Sequence, residues 1–224
     1  MIGRTGLDGF SVRDLARALE TYPSAIYWHV RSRNQLLALV VAHVLRDVAP
    51  TRPHPSWQDW LRDSFASFRQ AIRAHPAVAP LVGAQLVSNS GIDLGHVERT
   101  LATLARAGFA GARLQDAFNT VVAAQVGFVT LEFAPLPADD PADWAQGMQD
   151  LVGGVDREAY PVLGRNIGRL ANRAFMLRWE NGATAPMDRA FRAYVDTVIA
   201  GLEHLAAQSG IDPPEPDDYC PTNN

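Results

Sequence analysis

The sequence predicts an all-α protein: a short helix-turn-helix head followed by a larger helical body. Three observations carry this prediction. Apolar residues recur at i, i+3, i+4 and i+7 along most of the chain, as in Val12, Leu15, Ala16 and Leu19. Proline, glycine and Asn-Gly breakers mostly fall between these runs. No alternating period-two run is long enough to demand a strand.

In chain order, Ser11 with Asp14 resembles a capping box, an acid three residues after a hydroxyl, and opens the first helix. After a short break, Pro23 to Val30 reads as a second short helix. Ser32 with Gln35 repeats the capping device before the apolar run Leu36–Val48, and Pro50–Pro55 breaks the chain. Trp57, Trp60, Leu61, Phe65, Phe68 and Ile72 then share one helical face. A helix around Leu94–Ala107 stops at Gly108, a residue that readily takes the left-handed C-terminal conformation. Another helix spans roughly Arg113–Phe133. Residues Ala134–Gly154 hold breakers and acids and read as a loop. Helix resumes over about Asp156–Glu180 and ends at Asn181-Gly182. The last helix has the clearest stripe: Met187, Phe191, Tyr194, Val195, Val198, Ile199, Leu202, Leu205 and Ala206. The domains expected are a head over 1–48, a body over 49–209 and a proline- and acid-rich disordered tail over 210–224.

Charge divides the chain in the same place. Residues 1–46 hold six arginines against three acids, whereas the remainder holds fourteen against twenty-one. A basic end on an acidic body is the layout of a nucleic-acid-reading head on a domain with another task. The sole cysteine, Cys220, has no partner for a disulfide, and no apolar run is long enough to span a bilayer, so a cytoplasmic location is expected. No glycine-rich phosphate loop or nucleophile elbow occurs, and the acid pairs Asp139-Asp140 and Asp217-Asp218 sit in proline-rich segments as solvated loop. Catalysis, a cofactor and a metal are not expected.

Two short helices joined by about four residues match the helix-turn-helix, whose second helix enters the major groove. Arg13, near the start of the first helix, is of the type that reaches guanine O6 and N7. Ser24 and Ala25 are small, so the start of the second helix can approach base edges. Tyr27, His29 and Arg33 offer donors to phosphate oxygens, while Ile26 and Val30 face the small core beneath. A plainer alternative is that Tyr27 and Trp28 merely fill that core.

The stretches Gly6 to Leu19 and Pro23 to Leu37 resemble the DNA-binding domain of the TetR family of repressors, and Tyr27-Trp28-His29-Val30 its tetracycline-repressor branch. Ser56 to Arg62, Ala107-Gly108-Phe109 and Gly201-Leu202-Glu203 extend the likeness into that branch's regulatory domain. The resemblance implies a homodimer in which the last helix and the helix near 113–133 form a four-helix bundle with their symmetry mates. It also implies a small-molecule effector pocket in each body and contacts to double-stranded operator DNA from Arg13, Ser24, Ala25, Tyr27, His29 and Arg33. The two reading heads would stand about 34–36 Å apart, one DNA turn. The function expected is therefore a ligand-responsive repressor, released from its operator when a small apolar effector binds. The alternative is an all-α dimeric interaction protein with impaired DNA binding that acts through mixed dimers.

Three departures from the family pattern bear on this reading. Only a stub of the family's first helix, Met1–Thr5, precedes the motif, so the head is expected to be truncated at its N-terminus. Glu20 stands where the turn usually holds glycine. Ala49 and Val82 occupy the positions of the histidines that coordinate a drug–magnesium complex, so no magnesium–tetracycline binding is expected. For the effector pocket, the candidates are Phe65, Phe68, Leu86, Phe118, Asn119, Val122, Gln125, Phe175 and Trp179, an apolar wall with a few polar anchors. Asn172 is a further polar candidate.

Overall fold

The computed structural model describes residues 9–87, 93–137 and 139–208. Among them are ten α-helices, two short 3-10 turns and no strand. The head holds α1 (Val12–Ala18), α2 (Pro23–His29) and α3 (Arg33–Val44). The body holds α4 (Trp57–Ala74), α5 (Ala79–Val87), α6 (Leu94–Arg106), α7 (Gly111–Glu132), α8 (Pro141–Gly153), α9 (Pro161–Leu170) and α10 (Asp188–Gln208). No helix among the described residues is long and apolar enough to cross a membrane. The expected stub Met1–Thr5 and the tail 210–224 lie outside the described residues.

Local chemistry sets the helix starts. The hydroxyls of Ser11, Ser32 and Ser56 each accept the backbone N–H three residues on, from Asp14, Gln35 and Asp59, all at 3.1 Å. Stops are equally local. At the end of α6, Gly108 N–H bonds Ala105 O at 3.0 Å and Phe109 N–H bonds Leu104 O at 3.2 Å, with Gly108 at φ +99°. This is a Schellman closure, and its apolar partners Leu104 and Phe109 are both buried. His75 closes α4 through its backbone N–H to Ile72 O at 2.9 Å.

Helix α4 is the central beam. Its first half sends Trp60, Leu61 and Phe65 into one cluster with Leu104, Phe109, Val121, Phe128, Phe191, Val195, Ile199 and Leu202. Its second half sends Phe68 and Ile72 into another cluster with Leu37 and Val41 of α3, Val82 of α5, and Val129 and Phe133. Head and body are thus joined through a shared apolar core and not through a solvated linker. Leu61 and Ile72 are fully buried, so truncating either to alanine is worth about 2–5 kcal/mol.

Two expectations are corrected. Residues Ala134–Gly154 do not form a loop throughout, because α8 occupies Pro141–Gly153. Asp140 caps it, accepting the Asp143 N–H at 3.2 Å, and Pro141 sits at the first turn, where its missing N–H costs nothing. Trp144, Met148, Leu151 and Val152 show a helical spacing that the proline and glycines obscured. Conversely, the helix expected over Asp156–Glu180 covers only Pro161–Leu170. Asn172, at φ +55°, ends that run. Its side-chain oxygen accepts the N–H groups of Trp179 (3.2 Å) and Glu180 (3.1 Å), and its amide donates to the Glu180 carboxylate at 2.5 Å. Such side-chain bonds offer the backbone an alternative to the helix ladder. They also make Asn172 a clamp on the 172–180 segment, its polar atoms already committed.

Candidate functional site

The head presents the expected helix-turn-helix. Between α1 and α2, Glu20 N–H bonds Arg17 O at 3.2 Å and Thr21 N–H bonds Ala16 O at 2.9 Å. This repeats the closure of α6, but the left-handed residue is Glu20 at φ +51° where α6 uses glycine. The turn therefore does need that conformation and takes it with a side chain present. Asp14 is locked at the start of α1: the Ser11 hydroxyl and then the Arg17 guanidinium, 2.6 Å away, hold its carboxyl below the usual carboxylate range.

All six candidate contact residues are exposed. Arg13 lies on the outer face of α1, Ser24, Ala25, Tyr27 and His29 on α2, and Arg33 at the start of α3. The Arg33 guanidinium also lies over the Phe10 ring, 5.9 Å from its centroid. Ile26 is half-buried and Val30 buried, so both turn inward as expected. The core-filling alternative for Tyr27 and Trp28 fails: they are 47% and 85% exposed. Trp28 stands edge-on to His29, centroids 5.3 Å apart. Tyr22, the N-cap residue just before α2, is 80% exposed. Tyr22 and Trp28 were not among the six. The available signal was size, since a three-helix head has too little interior to hide so many aromatic rings.

The effector candidates divide between the two clusters. Phe65 is buried in the first, with Phe118 packed against it. Phe175 is exposed at its edge yet meets Phe128 edge-to-face at 5.4 Å. Gln125 is buried and donates through Nε2 to the Ser64 hydroxyl at 3.0 Å, a satisfied polar pair within the apolar wall. Phe68 belongs to the second cluster. Val122 and Trp179 are half-buried, Asn119 is exposed, and the Leu86 side chain lies outside the described residues. Ala49 and Val82 are buried and offer no donor atom to a metal. Among the described residues no three His, Cys, Asp or Glu side chains come together as a metal site.

An ion network, buried at Arg69 and Glu132 and exposed at Asp188, lies beside the two clusters. Arg69 of α4 donates Nε and Nη2 to Glu132 of α7 at 2.7 and 2.6 Å, and Nη1 lies 2.8 Å from Asp188 at the start of α10. Glu132 also accepts the backbone N–H of Met187 at 2.8 Å. The Glu132 and Asp188 carboxylates together outweigh burial and raise the Arg69 pKa.

Comparison with known proteins agrees with this architecture. The family described as "Tetracyclin repressor-like, C-terminal domain" matches residues 49–206. An HTH-type transcriptional regulator of Saccharopolyspora erythraea is 30% identical over 133 residues, which span 59% of this chain and 56% of that protein. The match thus covers little more than half of that relative's length. The Streptomyces coelicolor TetR family protein ActR, in complex with (S)-DNPA, superposes with a TM-score of 0.69 over 92% of each chain at 22% identity, a likeness of fold. BioQ with its natural double-stranded DNA operator superposes with a TM-score of 0.54 at 29% identity, over 68% of this chain and 89% of that one.

Proposed function

The chain belongs to the tetracycline-repressor-like family of transcriptional regulators, and from that premise we propose that it is a ligand-responsive repressor that binds operator DNA as a homodimer. The observation that carries the reading is the outward set of Arg13, Ser24, Ala25, Tyr27, His29 and Arg33 on a head whose α1 and α3 starts are fixed by serine caps and whose α2 starts at a proline. In this reading Arg13, Ser24 and Ala25 meet base edges, and Tyr27, His29 and Arg33 meet phosphates.

Homodimerisation through α7 and α10 is supported by their exposed outer faces, which include Leu131 (55% exposed) and Leu205 (44%). A small apolar effector would enter the body near Phe65, Phe118, Gln125 and Phe175 and shift the heads away from the spacing of one DNA turn. The continuous core from α4 to α3 supplies the mechanical link. With Ala49 and Val82 apolar and buried, tetracycline bound through magnesium is not the effector expected here.

Gel shift of the full chain on the DNA immediately upstream of its own gene tests the proposal. Binding that weakens steeply with salt, through release of phosphate counterions, supports it. No shift, together with formation of mixed dimers with a relative, replaces it with the interaction reading.

A further inference from the structure

Between segment 169–173 and segment 185–193 lies a cleft of about 870 Å³. None of the nine effector candidates lines it, but the further polar candidate Asn172 does, its side-chain amide already bonded within segment 172–180. Its apolar wall is Ala171, Ala185, Pro186, Met187, Ala190 and Ala193. Three arginines, Arg169, Arg173 and Arg189, stand around that wall, and none of them forms an ion pair among the described residues. Among the described residues the one acid lining the cleft, Asp188, is already committed, 2.8 Å from Arg69 and 3.9 Å from Arg73.

A further guanidinium adjoins the wall. Arg178 is 7% exposed and donates Nη2 to the carbonyl of the wall residue Ala185 at 2.6 Å, while its Nε and Nη1 are buried without a partner. Three guanidinium groups at one cleft, with a fourth behind its wall, contrast with the chain beyond residue 46, where acids outnumber arginines by seven. Guanidinium groups recognise carboxylate, sulfonate and phosphate oxygens through paired N–H donors. The volume falls in the range of small-molecule sites, about 300–1,000 Å³.

We propose that this cleft binds an organic anion with a compact apolar body, its charged group held by Arg169, Arg173 and Arg189 and its body laid against Met187 and the alanines. Occupancy has a route to the core. Met187 N–H is bonded to Glu132 on α7, and Asp188 is paired with Arg69 on α4, the helix that also packs on α3 of the head. Apart from Asn172, the lining is separate from the residues assigned to the effector, and the test uses no DNA, so its failure leaves the operator reading standing.

The test is a fluorescence titration of the full chain with 1-anilinonaphthalene-8-sulfonate, an aromatic anion, beside its neutral analogue N-phenyl-1-naphthylamine. In the unaltered protein the anion is expected to fill one saturable site per chain and to bind at least tenfold more tightly than the neutral probe. In the triple variant R169Q/R173Q/R189Q, which alters only exposed side chains, anion affinity should fall at least tenfold while affinity for the neutral probe changes less than twofold. An unchanged circular dichroism spectrum and melting temperature check that the variant keeps its fold. Anion affinity unchanged in the variant, equal loss of both probes, or no saturable anion site overturns the proposal.

Discussion

Arg69 and Glu132, 63 residues apart in sequence, meet through two near-parallel hydrogen bonds of 2.7 and 2.6 Å between α4 and α7. Glu132 is fully buried, and the arginine's remaining nitrogen is held by Asp188. The guanidinium also lies over the Phe191 ring, 4.6 Å from its centroid. Opposite charges this deep tolerate each other only as a set, because each alone would carry an uncompensated desolvation cost.

Glu132→Ala should therefore destabilise the protein by about 3–5 kcal/mol, the range for breaking a buried pair. The pair R69M/E132L should lose much less than the sum of its single substitutions. Urea denaturation of all four proteins measures this, and additive losses would show that the two side chains do not act together.

Gly182 gives a second handle on the same place. Its N–H bonds Glu132 O at 2.6 Å, and a Cβ there would lie 2.9 Å from a Phe133 ring carbon and against the Glu132 side chain. Gly182→Ala should cost about 1–3 kcal/mol as an overpacking defect, read as a drop in melting temperature.

Glu20→Gly should stabilise the head. The left-handed backbone at φ +51° costs a residue with a Cβ about 1 kcal/mol, and glycine is free of that strain. The expected gain, in protection of the α1 and α2 amides from hydrogen exchange, fails if protection falls.

Within the proposed DNA interface, Arg13→Ala should weaken operator binding by about 1–3 kcal/mol and relax base preference, as for loss of a base contact. Tyr27→Phe should weaken all sequences alike, as for loss of a phosphate contact. Competition between operator and random duplex separates the two behaviours.

His96 sets a pH dependence. Burial lowers its pKa below the ordinary 6.5, more than Asp93 raises it, and its Nδ1 has no partner. The unfolded chain then takes up a proton that the folded one refuses as pH falls below about 6.5, so stability is full above that value and declines beneath it. His96→Gln should flatten this part of the stability profile between pH 7 and pH 5. A slope unchanged by the substitution would assign the effect to other groups.

How much of this could be read beforehand follows from distance along the chain. Serine caps, the stop at Gly108 and the outward set Arg13 to Arg33 depend on contacts three or four residues apart and were legible. Helix α8 was missed because Pro141, Gly147 and Gly153 look like breakers, although a proline at the first turn and a glycine at the end fit a helix. The region 156–180 reads as one helix because nothing in its periodicity shows that the Asn172 side chain will bond two backbone N–H groups seven and eight residues on.

The sequence by itself determined an all-α chain and a helix-turn-helix whose polar and small residues face outward, because periodicity and capping are short-range. It also placed glutamate at a turn that wants glycine. Only the tertiary structure decided that Phe65 and Phe68, three residues apart on α4, serve different clusters, that Arg69 finds Glu132 and Asp188, and that Arg169, Arg173 and Arg189 gather at one cleft. Those pairings join segments 16 to 119 residues apart, and which partners meet is set by how helices stack, a choice that no local pattern encodes.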